Sequence, residues 1–280
     1  MYRRRNSPQQ YDYGGSGRRP RRRSLASMLM IFLIVGGFSL FRYFSSSQVN
    51  EITGETQYVS ISPQEEIALG LQSAPSMIQQ YGGLHPDQNA QEIVDEVGER
   101  LVNNTVVRAS GYRYDFHLLA DANVVNAFAL PGGQVFITAA LYSKLKNIDQ
   151  LAGVLGHEIG HVIHRHGAER IAKMELTQGL TGAAVVASGD YNTAQAAQMI
   201  GNLINMKYGR DQELESDDWG VLLMMEAGYD PYELIGVMDI LEDASGGSRV
   251  PEFQSSHPSP ENRREKIEES IEKYKNAINN

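Results

Sequence analysis

His157-Glu158-Ile159-Gly160-His161 is the stretch on which the reading of this chain turns, and it lies in the longer apolar run from 151 to 163. Leu151, Val154, Leu155, Ile159, Val162 and Ile163 keep helical spacing, so the pattern predicts a helix with the motif in mid-element. On that helix the two histidines lie on one face, about 6 Å apart along the axis, within reach of a single zinc ion. Glu158 stands about 100° further round the same turn, near the metal but not aimed at it. It can therefore take a proton from water activated there.

A zinc hydrolase needs a third protein ligand and an open fourth position. The 280 residues include no cysteine, so a disulfide framework, a thiolate site and a thiol nucleophile are all excluded. His164 returns to the same helix face but is about 10.5 Å along the axis from His157, too far to share one ion. His166 is expected on the opposite face. The continuation HExxHxxGxxH fails, because His164 replaces its glycine and Gly167 its third histidine.

The remaining candidate is Glu213-Leu214-Glu215-Ser216-Asp217-Asp218-Trp219-Gly220. Glu213 and Asp217 share one helix face, and Gly220 leaves room on it for a second helix to pack closely. Glu213 can then be the third ligand, while Asp217 holds the far nitrogen of a ligating histidine. Glu215 is expected in solvent. The bland alternative is an exposed acidic face.

Around this centre the chain reads as α+β, mostly helical. Ser62-Pro63-Gln64-Glu65 is a capping box with proline at the first helical position, opening a helix toward Tyr81 that Pro75 should bend or split. Asp87 can cap a second helix. Tyr112, Tyr114, Phe116 and Leu118 alternate with polar residues as in a half-buried strand, and a second strand is expected over 134–138 after Pro131-Gly132-Gly133. Later helices are expected over 194–206, 210–227, 231–244 and 260–278. The run 179–188 is apolar but too short to span, so a buried or interfacial helix is expected there.

Hydrophobic content of 41% with 21% charged residues excludes a wholly disordered chain and a multi-span membrane protein. The net charge of −9 is uneven. Residues 1–23 carry +7, leaving −16 for the remainder. That tail, rich in Arg, Gly and Pro, is expected to be disordered. The uncharged run 25–41 follows it, extended by Arg42, Tyr43 and Phe44 at an interface, and is long enough to cross a bilayer as one signal anchor over 24–44. A cleavable signal peptide, a mitochondrial presequence and a buried helix fit less well. Arginines before the span place the N-terminus in the cytoplasm and everything after it on the far side. The acidic remainder argues against a nucleic-acid partner. Residues 45–61 read as a linker and 62–280 as the catalytic domain.

HExxH followed some fifty residues later by ExE(S/A)DxxG resembles the membrane-associated gluzincin metallopeptidases of the HtpX/BepA/LoiP type. The likeness extends to Glu66-Ile67-Ala68-Leu69-Gly70, to Tyr81-Gly82-Gly83, to the stretch from Asn126 through Pro131-Gly132-Gly133, and to His257-Pro258 with Arg263. It implies a zincin domain with one zinc held by His157, His161 and Glu213, Glu158 as general base, and Asp217 behind a ligand. It implies that His257 and Arg263 approach the metal, stabilising an oxyanion or shielding the ion at rest. It also implies that Asn126, Ala127, Phe128 and Ala129 form an edge strand that binds extended polypeptide. The activity implied is zinc-dependent endoproteolysis of misfolded or unassembled envelope proteins. A chain ending 17 residues past Arg263 is expected to lack the helical repeats of some relatives. The rival is a membrane-tethered chaperone-like protein with a structural zinc, in which Glu158 has no task.

Overall fold

The computed structural model describes residues 25–188, 208–245, 253, 257 and 262–278. The tail expected over 1–23 and the helix expected over 194–206 lie outside the described residues.

Within helix α1 (Leu25–Ser45) an 18-residue window has a mean hydropathy of 2.0, and only 6% of that window is buried. It is long and apolar enough to cross a bilayer. The expected linker contains a small antiparallel hairpin, β1 (Ser47–Val49) with β2 (Thr56–Tyr58). Strands of three residues are too short to show periodicity, and long-range bonds hold this hairpin in place. Asn50 donates to the carbonyl of Ile163 at 2.7 Å, and Gln57 donates to that of His164.

Helix α2 (Pro63–Gln80) starts at the expected box: Ser62 Oγ accepts from the Glu65 amide, and the Ser62 amide donates to Glu65 Oε2. It runs unbroken through Pro75, which removes one ladder bond without ending the element. Helix α3 (Gln88–Asn103), capped by Asp87, buries Val94, Val97 and Leu101. The sheet has β5 (Gln134–Thr138) at its centre, parallel to β3 (Asp115–Leu119) and antiparallel to β4 (Ala127–Ala129). β3 is shorter than the alternation suggests. Tyr112 lies before the ladder, its hydroxyl donating to Glu66 Oε1 at 3.2 Å. At Gly132, with φ of 83°, a Cβ would come within 2.4 Å of Ile67 Cα, so the turn before β5 packs directly on the start of α2.

After the short α4 (Ala139–Tyr142), helix α5 (Ile148–Ile163) runs through the middle of the molecule, buried at every residue from 150 to 163. Its end is abrupt. Arg165 takes φ of 53°, a left-handed conformation that costs a side-chain-bearing residue roughly 1–2 kcal/mol. Two bonds hold it there, a buried one from Nε to Glu66 Oε1 and a part-buried one from Nη2 to the Ile61 carbonyl, each 2.7 Å. The reversal starts α6 (His166–Ser188), which runs antiparallel along α1 and includes the 179–188 segment. α7 (Arg210–Ala227) ends at Gly228, with φ of 76°, and is followed by α8 (Glu233–Ser245) and α9 (Arg263–Ile278). One core joins α3, the sheet, α5, α7, α8 and α9. α9 is further tied down at Asp218, which accepts from Ser270, Lys273 and Tyr274.

Candidate active site

α5 and α7 cross with almost no side chain between them. A Cβ on Gly160 would stand 2.9 Å from the Cα and carbonyl oxygen of Ser216, and one on Gly220 would stand 3.3 Å from the amide of His157. Backbone cannot rotate out of the way. Gly160→Ala is therefore expected to cost about 1–3 kcal/mol, read as a lower denaturation midpoint with reduced metal content. A variant as stable and as metal-loaded as the parent would remove this crossing from the account.

The close crossing brings Glu213 to the two histidines of α5. His157 Nε2 and His161 Nε2 are 3.1 Å apart. Glu213 Oε2 lies 3.6 Å from the first and Oε1 lies 3.5 Å from the second. His257 enters the same space, its Nδ1 3.0 Å from Glu213 Oε1 and 3.2 Å from His161 Nε2. All four side chains are buried, and their ligand atoms lie within 4.8 Å of one another.

The bonds behind the cluster decide what it fits. His157 Nδ1 is 2.8 Å from Asp217 Oδ1. Asp217 in turn accepts from Arg263, Nε to Oδ2 at 2.6 Å and Nη2 to Oδ1 at 2.8 Å. Burial would raise the Asp217 carboxyl, but the Arg263 charge and bonds hold it below its ordinary range. His161 Nδ1 is 2.8 Å from His166 Nδ1, and His166 Nε2 is 3.0 Å from Glu215 Oε2. Burial pulls His166 down to about 3, so its ring is neutral. With the proton of each ligand ring turned outward to these partners, both Nε2 atoms present bare lone pairs to each other and to a carboxylate. Glu213 Oε2 has no hydrogen-bond partner, and burial's upward push on this carboxyl is overcome by His257 and His161, which hold it well below its usual range. Lone pairs facing one another around an anionic, buried oxygen fit a divalent cation, and nitrogen with oxygen donors suits zinc.

Two expectations are corrected here. His166 is not on the far side of the HExxH helix, because the left-handed turn at Arg165 folds it back against His161. Glu215 is not free in solvent. It bonds His166 and lies 3.9 Å from His164 Nδ1, with its side chain 39% exposed.

Glu158 is fully buried, and neither carboxylate oxygen has a hydrogen-bond partner; His257 Nε2 lies 3.7 Å from Oε1. Burial pushes its carboxyl up, against the pull of His257 and His157. Tyr208 and Phe253 form the site's aromatic wall. The Tyr208 ring stacks on His161 at 3.9 Å and Phe253 stacks on His257 at 4.4 Å. Sequence reasoning missed both, since neither sits in a motif or a periodic run.

Ala127, Phe128 and Ala129 form β4, at the margin of the three-stranded sheet, with β5 its one strand neighbour among the described residues. Asn126 precedes it, buried, with its amide nitrogen donating to the Tyr81 hydroxyl. Phe128 stacks between Tyr81 and Phe136. A narrow crevice lined by Ala129, Leu130 and Pro131 leads from this strand to His161 and Tyr208.

The sequence model of peptidase family M48 matches residues 88–271. Among curated proteins, the chain is 28% identical over 242 residues to the mitochondrial metalloendopeptidase OMA1 of Schizosaccharomyces pombe, covering 85% of this chain and 69% of that one. It is 31% identical over 184 residues to the beta-barrel assembly-enhancing protease of Escherichia coli, covering 61% of this chain and 37% of that one. It is 27% identical over 261 residues to the human mitochondrial metalloendopeptidase OMA1, of which it covers 49%.

Proposed function

This chain belongs to peptidase family M48 and is a metalloendopeptidase, and from that premise we propose that it is a zinc enzyme anchored in a membrane by α1. His157, His161 and Glu213 hold the metal, and Glu158 is the general base. The observation that carries the reading is the convergence of two imidazoles and a carboxylate beside a buried, unbonded Glu158. A zinc ion held there supplies Lewis acidity toward the scissile carbonyl and acidifies water.

The chain's own residues do the rest. Glu158, made more basic by burial, takes a proton from the attacking water and returns it to the departing amine. Asp217, clamped by Arg263, orients His157 through its Nδ1. Arg263 therefore acts from behind the ligands rather than on the substrate. His257, with Nδ1 among the ligand atoms, shields the centre at rest and must yield to a substrate carbonyl. The margin of β4 binds extended backbone, so Asn126, Ala127, Phe128 and Ala129 select chains with unpaired strands. Polypeptides exposing such strands, misfolded or unassembled envelope proteins, are the substrate class proposed. The arginine-rich N-terminus lies in the cytoplasm and the catalytic domain on the opposite side.

The test is digestion of unfolded casein by the full-length chain in detergent, with and without chelator. Cleavage is expected to stop on chelation and return with zinc. Undiminished cleavage in chelator refutes the mechanism.

His161 is oriented differently from His157, through His166 and Glu215 rather than a carboxylate–arginine pair. His166→Phe keeps an aromatic ring there but removes the acceptor for His161 Nδ1–H. It is expected to weaken zinc retention in a chelator competition by roughly 10–100-fold. Unchanged retention would show that the chain of bonds does not orient the ligand.

A further inference from the structure

We propose that the outer half of α6 lies inside the bilayer beside α1, so that one rigid helix fixes the catalytic centre at a short, set height above the membrane. The inference rests on α1 being a span. It follows from how the two helices pack.

Three contacts set an antiparallel register. Arg42 Nη2 pairs with Glu175 Oε2 at 3.0 Å; a Cβ on Gly179 would stand 2.2 Å from Ser39 Oγ; and a Cβ on Gly36 would stand 3.5 Å from Leu180 Cδ2. As α6 proceeds it therefore moves down α1 toward its N-terminus. From Glu175 to the helix end at Ser188 is about 20 Å at 1.5 Å per residue. That is roughly two-thirds of a 30 Å hydrocarbon layer. A helix packed along a spanning helix shares its surroundings, so α6 past Glu175 is in lipid if α1 is.

The chemistry of the segment agrees. After Glu175 the next charged residue in the sequence is Asp190. Three hydroxyls among the described side chains are satisfied within their own helices, as hydrocarbon requires: Thr177 to the Lys173 carbonyl, Thr181 to that of Gln178, and Ser39 to that of Val35. The two helices meet at Gly36, Ser39 and Gly179, small residues of the kind that pack helices together where no hydrophobic force drives them. On the other side of Glu175, the same helix carries Lys173 and Arg170. The Arg42–Glu175 pair thus marks the headgroup level.

His166, which touches His161, begins the helix nine residues before Glu175, so the centre stands about 14 Å above that level. A site held there meets extended chain just outside a membrane, which narrows the proposed substrates to membrane-proximal segments.

The chain has no cysteine, so single-cysteine variants of the full-length protein can be labelled in sealed, oriented lipid vesicles. Gly182 and Gln178 are exposed on α6, and a Cβ on Gly182 meets nothing within 4 Å. With a membrane-impermeant maleimide, Gly182→Cys and Gln178→Cys are expected to react roughly tenfold or more slowly than Lys173→Cys, the difference vanishing in denaturant. A fluorophore at 182 should be quenched by lipids brominated in their acyl chains, and one at 173 should not. Equal labelling at 173, 178 and 182, or no quenching at 182, overturns the proposal. Neither readout needs peptidase activity, so its failure is distinct from failure of the peptidase reading.

Discussion

Glu158→Gln is expected to leave a folded, metal-loaded protein that cleaves unfolded casein at least about 10³-fold more slowly, within the range of general-base removal. Both oxygens of this carboxylate are buried without hydrogen-bond partners. Its charge therefore costs the fold something, as the upward push of burial on the carboxyl shows. An amide of the same shape relieves that cost, so the thermal midpoint should hold or rise. Activity and stability should move apart, which separates a lost base from a damaged fold. Zinc content should stay near that of the parent, because Glu158 is not among the side chains whose ligand atoms converge. Substantial remaining turnover at normal zinc content would mean that another group accepts the proton.

Glu213→Gln should act on the metal instead. The carboxylate completes the cluster, and an amide oxygen is a poorer ligand for zinc. Zinc surviving gel filtration is expected to fall from about one per chain to below roughly a tenth, with casein cleavage lost in step. Glu215→Gln serves as the control on the same helix. It touches His166 rather than the centre and keeps an acceptor there, so its zinc content should remain close to the parent's. Full occupancy in Glu213→Gln together with loss in Glu215→Gln would move the third ligand to the other face of α7.

Much of the scaffold was legible in the sequence because its signals are local. The capping box at Ser62, the cap at Asp87, the Pro131-Gly132-Gly133 turn and the Gly228 stop each depend on a few adjacent residues, and the structure carries all four. The hairpin within residues 47–58 was not legible. Its strands are too short for periodicity, and its anchors, the carbonyls of Ile163 and His164, are more than a hundred residues away. The extent of β3 was misread for a related reason. The alternation begins at Tyr112, ahead of Asp115, where pairing with the first residue of β5 starts.

By itself the sequence determined the chemistry available to this protein. It set an HExxH on a helix, a ligand supply limited to imidazole and carboxylate, and an apolar helix after a basic tail. Those follow from spacing and composition, which a linear reading contains. Which carboxylate of α7 meets the histidines, and what stands behind each ligand, only the tertiary structure decided. A glycine crossing aims Glu213 at His157 and His161, and one left-handed residue, Arg165, turns His166 back toward its own helix and gives Glu215 a partner. Both depend on the angle between helices, which is set by what can be packed between their backbones and is written in no single segment.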